Sequence, residues 1–170
     1  MKHKIIINKN KFNIIVERLS HQLIENHGDF KETVLIGIQP RGTHLCNRIY
    51  QKLSSLLSNQ NIKIGNLDIT FYRDDFRRRQ EPLEPQAIDI DFSIEGKHVV
   101  LIDDVLYTGR SVRAAMDALM AFGRPKSVEL TVFIDRRFRR HLPIKPNYFG
   151  QKVDSIASEK SKRVSLNNKD

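Results

Sequence analysis

The chain is predicted to be an α/β protein with a mainly parallel central sheet flanked by helices. Three apolar runs, TVLIGI at 33–38, VVLI at 99–102 and SVELTVFI at 127–134, are strand-length and rich in β-branched residues. The run at 99–102 lacks polar alternation, the pattern of a strand covered on both faces, as in a parallel sheet. Stretches with an apolar period of 3.6 lie between the runs, so helices and strands alternate. A length of 170 residues suits one domain spanning 1–170, able to bury roughly two-thirds of its unfolded surface.

Composition narrows the classes further. No apolar run approaches the roughly 20 residues of a membrane helix, and the apolar core of MKHKIIINKNK is too short for a secretory signal. A cytoplasmic protein without a membrane partner is therefore expected. With 29 Lys and Arg against 20 Asp and Glu the net charge is +9, which favours anionic partners: phosphates, pyrophosphate or RNA. Excess charge also keeps a surface soluble, so it does not choose among them. The lone Cys46 excludes an intrachain disulfide, and among Leu45, Ile49 and Leu53 it reads as a small core residue.

Taken in order, Ile5, Ile6 and Ile7 suit a short edge strand or docking arm. Asn8 or Asn10 then caps a helix whose stripe is Phe12, Ile15, Val16, Leu19 and Leu23, ended by Gly28. Its other face carries Arg18, His21 and Glu25. After the strand at 33–38 come Gln39, Pro40, Arg41, Gly42 and Thr43, at a strand's carboxyl end, where open α/β sheets bind ligands. Gly42 permits close backbone approach, and Arg41 offers a fork for pyrophosphate oxygens. An amphipathic helix follows to about Leu57. Ile62, Ile64, Leu67, Ile69 and Phe71 alternate, with a bulge or turn expected at Gly65 and Asn66. After Tyr72 the pattern fails. RDDFRRRQEPLEPQA, about 73–87, has clustered charge and two prolines, the composition of an active-site lid or a disordered segment.

The richest stretch is KHVVLIDDVLYTGRSVRAAMDALMAFG, 97–123. Asp103 and Asp104 are expected just beyond its strand. Tyr107, Thr108, Gly109, Arg110 and Ser111 then form a small, polar loop into a helix with apolar positions Val112, Ala115, Met116 and Leu119, stopped by Gly123 and Pro125. Such a loop presents unpaired backbone amides, with hydroxyls from Thr108 and Ser111, to a phosphate. The paired aspartates supply acceptors for a vicinal diol such as the ribose 2′- and 3′-hydroxyls. The strand, loop and helix thus suit a ribose 5-phosphate, although solvated or capping aspartates would give the same spacing. Neither GxxxxGK[ST] nor GxGxxG occurs.

Asp135 and Arg136 close the run at 127–134. Arg136, Arg137, Arg139, Arg140 and His141 form the densest basic cluster. The tail, about 159–170, is basic and polar and is assigned no structure.

VVLIDDVLYTGRSVRAAMDAL closely resembles the phosphoribosyl pyrophosphate (PRPP) signature of type I phosphoribosyltransferases. Its wording is similar to that of the pyrimidine operon attenuation proteins that are also uracil phosphoribosyltransferases. GIQPRG at 37–42, LDITFYRDD at 67–75 and GRPKSVELTVFIDR at 123–136 extend the likeness to about Ser158. The resemblance implies a type I fold with a small antiparallel hood carrying a flexible lid, and transfer of phosphoribose from PRPP to uracil, giving UMP and pyrophosphate. It implies Mg²⁺ held mainly through PRPP, without a dedicated protein cage. Asp103, Asp104 and Arg41 would be catalytic. Gln39, Pro40, Arg41 and Gly42, with Asp103, Asp104, Val105, Leu106, Tyr107, Thr108, Gly109, Arg110 and Ser111, would bind PRPP or nucleotide. Tyr72, Arg73, Arg77 and Arg78, with Arg79, would belong to the lid and meet pyrophosphate; Asp135 or Arg136 would read the base. UMP-dependent binding to a pyrimidine-operon mRNA leader would use Arg18, His21, Arg137, Arg139 and Arg140, displayed on a homodimer or higher homo-oligomer. Glu17, Arg137 and His141 depart from that family's wording, where a small hydroxyl residue, a glycine and an acid are expected. A phosphoribosyltransferase for hypoxanthine-guanine or orotate, or a nucleotide-sensing RNA binder with lapsed catalysis, shares the same cradle.

Overall fold

The computed structural model describes residues 7–58, 61–74 and 88–154; Ile5, Ile6, Arg77, Arg78, Arg79 and the tail at 159–170 lie outside the described residues. The elements are α1 (Lys9–His27), β1 (Thr33–Ile38), α2 (Gly42–Leu57), β2 (Lys63–Leu67), β3 (His98–Leu106), α3 (Arg110–Leu119), β4 (Ser127–Arg136) and β5 (Tyr148–Val153). The strands form one sheet in the order β2-β1-β3-β4-β5, every pair parallel.

This order has a physical reading. From β1 the chain winds outward to β2, and from β3 it winds the opposite way to β4 and β5. Right-handed crossovers in opposite directions put α2 and α3 on opposite faces. The two windings diverge between β1 and β3, the switch point where open α/β sheets leave a crevice at their carboxyl ends.

Both faces are covered, which is why the strands do not alternate. Leu35, Val100, Ile102 and Phe133 pack under α1 and α2 with Leu19, Leu23, Leu45 and Ile49. Their neighbours Val34, Ile36, Leu101 and Val132 pack under α3 with Val112, Ala115 and Leu119. Asn8, not Asn10, caps α1, accepting from the Lys11 amide at 2.9 Å.

Several expectations need correction. β2 pairs regularly through Gly65, opposite Ile36, so there is no bulge. Gly65 is small because a Cβ there would lie 2.9 Å from Ile90 Cγ1 and 3.0 Å from Asp89 O. The strand stops because Asp68 accepts from the Thr70 amide at 2.8 Å, turning the chain into a single 3₁₀ turn, Thr70–Tyr72. Met116 is 43% exposed, and Ala114 and Ala118 take the buried stripe instead. Of the antiparallel hood, the described residues contain the Asn66–Asp89 bridge. The edge strand β5 had no periodic signal of its own.

At the sheet's amino end a polar cluster fastens α1 to three strands. His27 lies 3.0 Å from Glu129 and 3.1 Å from the Thr33 hydroxyl, while Tyr148 donates to the same Glu129 oxygen at 2.7 Å. Burial and this carboxylate push the Tyr148 hydroxyl up to about 12. His98, 2.6 Å from the Ser127 hydroxyl, sits at this same end, away from the crevice.

Candidate functional site

β3 continues to Leu106, so Asp103 and Asp104 lie inside the strand's last turn of the pleat, not beyond it as expected; Asp103 pairs with Val132. The ladder to β4 holds Asp103 and, on the far side of Asp104, Val105 and Leu106. The two residues are 9% and 8% exposed, and the Asp104 amide donates to Asp103 Oδ1 at 2.8 Å. Burial pushes the Asp103 carboxyl well above the ordinary carboxylate range, and the adjoining Asp104 charge adds to it. Burial also raises Asp104, opposed by its hydrogen bond with Asp103 and by Arg41, whose Nη1 is 4.0 Å from Asp104 Oδ2. That oxygen is buried and has no hydrogen-bond partner among the described residues. An acceptor so placed is costly unless a ligand supplies a donor.

The β1–α2 loop is pressed against this pair. A Cβ on Gly42 would lie 2.3 Å from Ile102 O and 3.1 Å from Asp103 Cα, so only glycine lets α2 begin here. Gln39–Pro40 is cis, the Thr43 hydroxyl donates to Pro40 O at 2.8 Å, and the Gln39 amide donates to Leu67 O at 3.0 Å.

Beside Asp103 opens a cavity of about 280 Å³, lined by Arg73, Asp103 and residues 105–112. Gly109, at φ 91°, turns the chain sharply into α3; as N-cap it offers no side chain, and the Arg110 amide donates to the Thr108 hydroxyl at 3.4 Å. Leu142 and Ile144 back the turn; a Cβ on Gly109 would sit 3.3 Å from Ile144 Cδ1. Arg73 donates to the Ser111 hydroxyl at 3.4 Å, Arg110 pairs with Asp74, and Tyr72 precedes them, 42% exposed. Arg110 Nε also reaches His141 Nδ1 at 3.5 Å.

The cavity therefore gathers Asp103, Val105, Leu106, Tyr107, Thr108, Gly109, Arg110, Ser111 and Arg73. Asp104 and Arg41 form a pair beside it. Asp135 is buried, and its carboxylate is engaged by Arg140. Arg140 donates with its other terminal nitrogen to Tyr107 O at 2.7 Å, while Arg136 stacks 4.3 Å above the Tyr107 ring. Arg137 grips Asp154 through two hydrogen bonds of 2.8 and 2.7 Å. Arg18 donates to the β5 carbonyls of Phe149 and Gly150 at 3.1 and 2.6 Å, and His21 is exposed on α1. Cys46 is buried, and burial pushes its thiol up. Among the described residues no three His, Cys, Asp or Glu side chains cluster to hold a metal. Sequence reasoning missed Asp74 and the bracing contacts of Arg140, which join positions 36 and 33 residues apart with no linear signal.

The model of the phosphoribosyl transferase domain matches residues 4–168. A relative from Mannheimia succiniciproducens, named bifunctional protein PyrR, is 44% identical over 161 residues, covering 92% of this chain and 88% of its own. One of the same name from Halalkalibacterium halodurans is 40% identical over 158 residues, 92% of this chain and 87% of its own. Among solved structures, a hypoxanthine phosphoribosyltransferase from Staphylococcus aureus superposes with a TM-score of 0.69 at 23% identity, covering 88% of this chain and 77% of its own. The likeness to that structure is one of fold.

Proposed function

Because the chain belongs to the phosphoribosyl transferase family and, within it, to the bifunctional PyrR proteins, we propose that it transfers phosphoribose from PRPP to uracil and also regulates pyrimidine genes through RNA. One observation bears most weight: a buried carboxylate pair, with an Asp104 oxygen lacking a donor among the described residues, adjoins a cavity that ends at the N-terminus of α3. Two hydroxyls and a phosphate on one small molecule match those two ends.

In this reading Asp103 and Asp104 accept hydrogen bonds from the ribose hydroxyls, and the amides and hydroxyls of Thr108, Gly109, Arg110 and Ser111 hold the 5′-phosphate. Arg41 and the loop from Gln39 to Gly42 face pyrophosphate, with Arg73 at the cavity wall. Uracil N1 bonds to C1 of the ribose as the C1–O bond to pyrophosphate breaks, and the N1 proton is released. Positive charge develops on the sugar, and two buried carboxylates favour it strongly because they are preorganised away from water. The family's PRPP chemistry implies Mg²⁺, and the oxygen of Asp104 that lacks a donor suits such a hard cation. Asp103 and Asp104 would hold the ion with PRPP oxygens and water, and it would supply neutralisation of the pyrophosphate charge. Asp135 is spoken for by Arg140, so uracil's edge is read by backbone groups at the end of β4 and by Arg136.

For regulation, UMP in this site raises affinity for a pyrimidine-operon mRNA leader, and RNA must raise UMP affinity by the same factor. His21, Arg18, Arg137 and Arg139 form the RNA surface of a cytoplasmic homodimer or higher homo-oligomer. The Arg137–Asp154 pair is exposed, where solvent screens the attraction, so phosphate can replace Asp154. Among the described residues no helix is long and apolar enough to cross a membrane.

Pyrophosphate release from PRPP and Mg²⁺, with uracil, hypoxanthine, guanine or orotate offered separately, tests this reading beside Asp104→Asn. Turnover restricted to uracil and lowered by the substitution is expected. Turnover with another base overturns the specificity, and silence with every base despite UMP binding leaves a sensor without catalysis.

A further inference from the structure

Three hydrogen bonds converge beside the cavity on the carbonyls of Tyr107 and Thr108. Arg140 donates to Tyr107 O at 2.7 Å, and the amides of His141 and Leu142 donate to Thr108 O at 2.9 and 3.3 Å. All three donors come from the segment just after β4. A trans peptide is planar, so its N–H points opposite to its C=O. Drawing these two carbonyls toward 140–142 turns the amides of Thr108 and Gly109 the other way. Both residues line the cavity.

The Arg140 side chain is only 18% exposed, and it bridges Tyr107 O to Asp135, itself buried at 7%. Arg136, 4.3 Å over the Tyr107 ring, restrains the side chain of the same residue. A cation held for RNA would stay exposed and without a buried acid. Here the guanidinium is spent inside the molecule, joining the end of β4 to the loop after β3.

We propose that Arg140 is a positioning residue, which fixes the Tyr107 and Thr108 peptides so that their amides form the anion-binding nest for a phosphomonoester. The proposal rests on the phosphate site assigned above. It predicts that Arg140 acts on the phosphate and not on the rest of the nucleotide. Charge-assisted hydrogen bonds to a phosphate are each strong enough that losing one costs about 10-fold or more in affinity.

The test measures affinity of the full chain for UMP and for uridine, which differ only in the phosphate. Wild type is expected to prefer UMP; equal affinity would sink the phosphate site itself. In Arg140→Gln the UMP preference is expected to fall by about 10-fold or more with uridine affinity kept, and in Arg140→Lys part of it returns. An unchanged preference in a folded Arg140→Gln overturns the positioning role and leaves the phosphate site standing. The double variant Asp135→Asn with Arg140→Met removes the unpaired buried acid; if it restores the preference, Asp135's charge was the cause and the proposal fails. Wild type provides a readout independent of folding: inorganic phosphate must shift the Thr108 and Gly109 amide resonances, and unmoved amides overturn the nest.

Discussion

Gly42→Ala probes the closest approach in the site. The added Cβ would lie 2.3 Å from Ile102 O and 3.1 Å from Asp103 Cα, both backbone atoms of the central strand. A comfortable carbon–oxygen contact is roughly 1 Å longer. No side-chain rotamer can absorb that, so α2's first turn and β3 must separate by about 1 Å, an overpacking cost of about 1–3 kcal/mol. For a chain of this size each kcal/mol lowers Tm by about 2–4 °C, giving a fall of about 2–12 °C. The larger effect falls on turnover. The loop bearing Arg41 is shifted relative to Asp103 and Asp104, and a 1 Å misplacement of that kind costs on the order of 100-fold. Thermal melting and pyrophosphate release on one preparation check both numbers. A folded Gly42→Ala protein with wild-type Tm and wild-type kcat/KM would refute the claim that this contact sets the spacing of the two loops.

Further expectations concern the acids, the thiol and the metal. Burial raises the folded Asp103 pKa above its unfolded value of about 3.9, so the folded state binds the extra proton and stability falls as pH rises from about 4 toward the folded pKa. Asp103→Asn should therefore raise Tm at pH 7.5 and gain little at pH 4, while lowering turnover; an equal gain at both values contradicts the sign. Cys46 is buried with its thiol pushed up, so a thiol reagent should label it only after denaturation, and fast labelling of the native protein refutes that. Mg²⁺ alone should leave Tm unchanged whereas Mg²⁺ with PRPP raises it, because the substrate supplies most ligands; stabilisation by the ion alone points to a protein-made site.

Much of this was legible because the signals are local. The unbroken runs at 33–38 and 99–102 follow directly from helices on both faces, and the turn at Gly109 with its polar neighbours announces a helix start. Gly42 and Arg41 were readable for the same reason. What escaped was set by neighbours distant in sequence. Gly65 resembles a bulge until Ile90 and Asp89 are seen against it. Met116 fits the apolar period, yet the packing of Ala114 and Ala118 rotates the helix by a fraction of a turn. Arg18, Arg137 and Arg140 read as one class of cation; in the structure they meet β5 carbonyls, an exposed acid and a buried acid. Charge and spacing record that a cation is present, not which acceptor reaches it.

The reversal of winding between β1 and β3 has a mechanical consequence. The β1–α2–β2 half supplies Arg41, and the β3–α3–β4–β5 half supplies the aspartates and the cavity-lining loop at 107–111. A molecule gripped by both halves works as a rivet through the seam, loading the β1–β3 ladder in shear whenever one half tries to peel from the other. Ligand should then slow hydrogen exchange along that seam more than at the amino-end cluster of His27, Glu129 and Tyr148, so occupancy would be written into the stiffness of the sheet as well as into the shape of the crevice.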